Sequence, residues 1–163
     1  MYYRVYKKVV FFSVLIFMAL LNSSVQIRGQ VQPLSATTIP ENQQIHAPAL
    51  LRLLQSRDAD RPLLLQVGSR VMFDQAHIPG SVYAGPGSLE AGLQLLETKV
   101  ASVARGKLIV IYCGCCPWNR CPNMGPAYRR LRELGFTNVK ALYTANNFGD
   151  DWVAKGYPVE KGE

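Results

Sequence analysis

From residue 48 onward, short apolar runs of strand length alternate with segments of helical periodicity. Pro62 to Val67 (PLLLQV) and Leu108 to Tyr112 (LIVIY) are continuous apolar runs that read as buried strands. Val82 to Ala84 and Val139 to Tyr143 are two further strand candidates. Between them, Leu50, Leu51, Leu53 and Leu54 suit a short amphipathic helix after Pro48, and Ser88 to Val103 reads as a helix with Leu89, Leu93, Leu95, Leu96, Val100 and Val103 as its apolar set. Residues 122–136 (PNMGPAYRRLRELGF) predict a third helix, stopped by Gly135 at the C′ position. Phe148 to Ala154 predicts a fourth, short and bearing Trp152. Polar residues 56–61 and the Pro-Gly of Phe73 to Ser81 (FDQAHIPGS) read as turns. Strands alternating with helices predict an α/β domain whose parallel sheet is covered on both faces.

The first thirty residues follow a different pattern. Arg4, Lys7 and Lys8 precede a 13-residue apolar run, Val9 to Leu21, and the small polar residues Asn22, Ser23 and Ser24 come next. A bilayer span needs about 20 residues, so the run fits the core of a signal peptide. The expected division is a signal segment at 1–29 (alternatively an uncleaved membrane anchor), a linker at 30–47 and the folded domain at 48–160. The domain is thereby expected outside the cytoplasm, periplasmic or extracellular, where thiols can oxidise. This segment also accounts for much of the charge. The whole chain carries +7; without Arg4, Lys7, Lys8 and Arg28 the balance is 14 basic to 11 acidic residues, or +3. The remaining cluster, Arg129, Arg130 and Arg132, reads as a solvated helix face, so no nucleic-acid partner is expected.

Chemistry concentrates in one loop. Cys113, Cys115, Cys116 and Cys121 fall within nine residues, between the carboxyl end of the LIVIY strand and the amino end of the third helix. Open α/β sheets place ligand crevices at that position, and the positive end of a helix dipole there favours a thiolate. Cys113 to Cys116 also has the C-x-x-C spacing of a dithiol redox couple. Zinc sites divide two cysteine pairs across a long spacer; four cysteines this crowded make tetrahedral closure difficult, and no metal ligands or cofactor are assigned. A structural disulfide or a partner- or metal-binding module remains the non-enzymatic reading of the loop. His77, in a Pro-Gly turn, is expected to bond backbone, and Trp152 to anchor the last helix.

Taken in order, PLLLQV, His77-Ile78-Pro79-Gly80, the strand entering Cys113, LRELGFTNVKAL and Gly156-Tyr157-Pro158-Val159 resemble the single-domain rhodanese-like (sulfurtransferase) family over about Pro48 to Glu160. The resemblance implies a three-layer fold with a mostly parallel five-stranded sheet. It further implies a catalytic cysteine opening an anion-binding loop, a persulfide intermediate, a sulfane donor such as thiosulfate and an acceptor thiol. Strand alignment assigns the catalytic role to Cys113, whereas loop spacing assigns it to Cys115, five positions before Arg120. Gly114, Cys116 and Arg120 are the expected substrate-binding residues; Cys115, Cys116 and Cys121 are the expected resolving thiols. The alternative activity is thiol-disulfide oxidoreduction through CGCC. Three departures from the family pattern stand out. Gln66-Val67-Gly68 replaces Asp-Val-Arg, Thr144-Ala145 replaces a Gly-Gly pair, and the active loop is expanded, with seven positions from Cys113 to Arg120.

Overall fold

The computed structural model describes residues 38–56 and 61–162. The expected signal segment and most of the expected linker lie outside them. Five strands form one sheet: β1 (Gln44–Ile45), β2 (Leu63–Gln66), β3 (Val82–Tyr83), β4 (Ile109–Tyr112) and β5 (Val139–Leu142), in the order β1-β5-β4-β2-β3. Every pairing is parallel, with Leu65 opposite Ile111 and Ile111 opposite Ala141. Five α-helices accompany them among the described residues: α1 (Ala47–Leu54), α2 (Arg70–Gln75), α3 (Glu90–Val100), α4 (Met124–Glu133) and α5 (Phe148–Asp151).

Two elements depart from the sequence expectation. Strand β1 falls inside the stretch read as linker; two residues without apolar periodicity carry no strand signal, and pairing with Ala141 and Leu142 alone makes them one. Helix α2 begins before the Phe73 to Ser81 stretch read as turn and covers its first three residues. Its Ser69 cap accepts from the Met72 amide, and one and a half turns are too short for periodicity to register.

Strand β4 is central and fully buried. Successive side chains alternate between the faces of the sheet. Ile109 and Ile111 join Leu65, Val67 and Ala141 beneath α3 and α4, whose Leu96, Val100, Ala127 and Leu131 complete that core. Val110 and Tyr112 join Leu64 and Leu142 on the other face, against Leu50 of α1, Ile78, Phe148 and Trp152. The period continues past the strand: Cys113 falls on the face of Ile109 and Ile111 and is buried there. Two polar clasps close the layers. Arg130 of α4 bonds Glu97 and pairs with Glu90 of α3 at 3.3 Å, so one of the three arginines read as a solvated face ties two helices together. The Tyr112 hydroxyl accepts from the Ile78 amide at 3.1 Å and meets Ser81 Oγ at 2.7 Å, which secures the HIPGS turn to β4.

The candidate active site

The cysteine loop leaves β4 at Cys113 and reaches α4 at Asn123. Its expansion is accommodated by a turn of 3-10 helix, Trp118–Arg120, after Pro117. Trp118 turns inward: it is buried, its amide donates to the Thr144 carbonyl at 3.0 Å, and its ring lies 5.3 Å from that of Tyr143. This contact, absent from any reading based on spacing, fastens the outer half of the loop to the segment after β5. Cys116 packs partly against the core, while Cys121 is wholly within it.

All four thiols are free. Cys113 and Cys121 are buried, with 4% and 2% of their surface accessible, whereas Cys115 is exposed and Cys116 half-buried. The Sγ atoms of Cys113 and Cys115 are 3.3 Å apart, a hydrogen-bonding contact well beyond the roughly 2.05 Å of a disulfide. The resolved sulfur contact therefore runs across C-x-C, one residue short of the C-x-x-C pair that the spacing suggested. The sulfurs of Cys113, Cys115 and Cys121 all lie within 4.8 Å of one another. Crowding, which counted against a ligand set on sequence grounds, here brings three thiols together.

Hydrogen bonding decides where negative charge resides. Bonds from Cys113 and Cys121, with a smaller one from Cys116, hold the Cys115 thiol well below its usual range. Cys113 is pushed up chiefly by its bond to Cys115. Cys121 is pushed up by its bonds to Cys113 and Cys115, and Cys116 to about 12 by burial. One thiolate, on the exposed sulfur, is thus surrounded by S–H donors. The Cys115 backbone amide favours the ionised form of both Cys115 and Cys113.

Asn123 completes the arrangement, and sequence reasoning gave it no role. At the N-cap of α4 its side chain makes no cap hydrogen bond, although capping is the usual use of an asparagine there. Instead its Oδ1 accepts from the Ser88 amide at 3.0 Å, and its Nδ2 donates to Cys113 Sγ at 3.4 Å and Cys115 Sγ at 3.8 Å. The available signal was an asparagine opening a helix two residues after the last cysteine of a cluster. Gly68, one of the departures from the family pattern, also acquires a reason. A Cβ there would stand 2.8 Å from Gln66 Nε2 and 3.0 Å from Cys113 Sγ, while the Gly68 amide donates to Gln66 Oε1 at 3.1 Å. The absent side chain leaves space for the thiol.

The other expected residues separate by position. Gly114 lies beneath α5, its carbonyl accepting from the Phe148 amide at 3.4 Å, and a Cβ there would meet Met72 Cε at 3.2 Å. It lines a pocket of about 110 Å³ with Met72, Tyr112 and Phe148. Arg120 is exposed at the end of the 3-10 turn. His77 is buried, stacked on Phe73 with Nδ1 2.9 Å from the Phe73 carbonyl, and its backbone bridges Glu160, as expected of a structural histidine. Trp152 is fully buried and donates to the Pro158 carbonyl at 2.9 Å, which anchors the closing segment.

Comparison with known proteins gives a consistent picture. The Rhodanese-like domain family matches residues 46–144. No curated protein matches the chain at a significant level. Among solved structures, the Alr3790 protein from Anabaena sp. aligns over 72% of this chain and 82% of its own, with 23% identity and a TM-score of 0.54. The BH2092 protein from Bacillus halodurans aligns over 72% and 76%, with 19% identity and a TM-score of 0.54. A variant of EanB in a cysteine-persulfide state with ergothioneine aligns over 72% of this chain but only 28% of its own, with 20% identity and a TM-score of 0.56.

Proposed function

Because the chain belongs to the rhodanese-like domain family, whose members handle sulfur donors and thiol acceptors, we propose that it is an exported sulfurtransferase whose attacking sulfur is the Cys115 thiolate. The observation that carries this reading is the division of labour among the thiols. A nucleophilic thiol must be both ionised and reachable; Cys115 is exposed and held as the thiolate, whereas Cys113 is buried and held protonated. Cys113, the residue nominated by the strand, becomes the positioning donor.

The reaction begins with attack of Cys115 Sγ on the outer sulfur of a donor such as thiosulfate. The sulfur–sulfur bond of the donor breaks and sulfite leaves with its electron pair. The resulting persulfide anion takes the place of the thiolate among the same donors: the Cys113 S–H, the Cys121 S–H and the Asn123 amide. An acceptor thiolate, or cyanide in an assay, then attacks the outer sulfur, forms its own bond to it and releases Cys115 as the thiolate. Arg120, exposed at the loop end, supplies a cation on the approach of the anionic donor. The persulfide state in which EanB was captured lends support to this chemistry on the same fold. Export rests on the basic and apolar pattern of the first thirty residues.

The test is thiocyanate formation from thiosulfate and cyanide by the reduced protein, with intact mass measured after donor alone. Wild type gains the mass of one sulfur and turns over. Cys115→Ser loses both, while Cys113→Ser retains a slower turnover. Loss of the sulfur adduct only in Cys113→Ser would return the nucleophile to the strand end. A mature protein that still begins at Met1 would overturn cleavage of the leader.

A further inference from the structure

We propose that Cys113, Cys115 and Cys121 form a trigonal thiolate site for a soft monovalent cation, Cu(I), a capacity beyond sulfur transfer. The geometry is the first argument. The three sulfurs lie within 4.8 Å of one another, the closest resolved pair being 3.3 Å apart. A metal–sulfur bond of about 2.3 Å, arranged as a planar triangle, separates sulfurs by about 4 Å. The 3.3 Å contact is shorter than that value and the 4.8 Å bound on the other two spacings is above it, so a cation at the centre requires a modest spreading of Cys113 and Cys115.

The donor set chooses the cation. All three ligands are sulfur, and no histidine or carboxylate joins the group among the described residues. Thiolates select soft metals, and hard cations such as Mg²⁺ and Ca²⁺ take oxygen. Structural Zn²⁺ closes with four ligands, whereas Cu(I) is satisfied by three. Cys116 lies next in sequence but outside the group of three.

The surroundings are organised as those of a metal site are. Two ligands are buried: Cys113 directly follows the central strand and Cys121 is set in the core just before α4. The third, Cys115, is exposed and gives the ion an entry path. Asn123, its orientation fixed by the Ser88 amide, donates from Nδ2 to both Cys113 and Cys115; such outer partners orient ligands and tune their basicity. Buried Trp118 and Met124 belong to the same apolar cluster as Cys113 and Cys121 and keep water from that side. Since the ion would use the sulfur that attacks the donor, loading and sulfur transfer exclude each other.

The decisive experiment is anaerobic titration of the reduced full-length protein with Cu(I) against a chromophoric chelator, followed by copper X-ray absorption. The expected result is one Cu(I) per chain, with three sulfurs at about 2.3 Å. Cys115→Ser alters an exposed residue and spares the core; it lowers affinity by at least about tenfold, or about 1.4 kcal/mol, and leaves two sulfurs. Cys121→Ser, checked for folding by circular dichroism, does the same, and Cys116→Ser changes neither quantity. Copper bound equally well by Cys115→Ser would overturn the site. So would four sulfurs with dependence on Cys116, or Zn²⁺ retained in preference to Cu(I).

Discussion

Tyr112 and Cys113 are neighbours in the chain and belong to opposite faces of the sheet, and their surroundings differ in kind. The Tyr112 hydroxyl lies between the Ile78 amide and Ser81 Oγ, and burial pushes its pKa up to about 12. Around it, His77 bonds the Phe73 carbonyl and Trp152 the Pro158 carbonyl. These bonds run to main-chain groups or a hydroxyl, although His77 Nε2 also faces Glu160 Oε2 at 3.7 Å. Cys113 instead faces other thiols, and the charge is drawn to exposed Cys115 by the hydrogen bonds it receives from Cys113 and Cys121. A buried polar group with neutral fixed partners contributes to stability and specificity of fold. One whose partners can exchange protons and sulfur contributes to reactivity. The alternation of a single strand separates the two.

The comparison fails most visibly if the thiols are interchangeable. Cys115→Ser is expected to bring thiocyanate formation to the background rate, with Cys113→Ser retaining a measurable fraction; equal losses would abolish the distinction between nucleophile and donor. On the other face, Trp152→Ala is expected to destabilise the domain by about 3–5 kcal/mol in denaturant titration, since the ring is fully buried against Phe148 and Tyr157. The order of thiol reactivity in the folded fraction should be unchanged.

Asn123→Asp exchanges an N–H donor for a carboxylate beside two sulfurs. The added negative charge repels the anionic donor and also raises the Cys115 pKa, though not to neutrality, so turnover at neutral pH should fall by about tenfold and the acid limb of the pH profile should move upward. A variant whose pH profile matches wild type would remove Asn123 from the site. In the wild type the folded-state pKa of Cys115 lies below that of a free thiol, so the thiolate is already formed at neutral pH. Its alkylation rate should be flat between about pH 6 and 8, while a thiol of ordinary pKa reacts faster with each step upward; a rate that climbs across that window would contradict a preformed Cys115 thiolate. The smallest effect belongs to Tyr112→Phe, with about 1–2 kcal/mol of stability lost as the Ile78 amide and Ser81 lose their partner, and no change in thiol alkylation.

Periodicity and composition determined the strands β2, β4 and β5, the helices carrying leucines at regular spacing, and the position of the four cysteines at the carboxyl end of a central strand. These are local quantities: a run such as LIVIY is buried whichever neighbours it acquires, and a loop that follows it must leave the same edge of the sheet. The parallel sheet followed from the alternation of strands with helices, and the structural roles of His77 and Trp152 from the turn and the last helix that carry them. Tertiary structure alone decided that Gln44 and Ile45 pair as an edge strand, that Trp118 folds inward to fasten the expanded loop, and that Cys121 returns to Cys113 and Cys115. It also decided that Asn123 serves the sulfurs in preference to its own helix. Spacing in a loop leaves the direction of each side chain open; packing against β5, α3 and α4 closes it, and with it the choice of which thiol holds the charge.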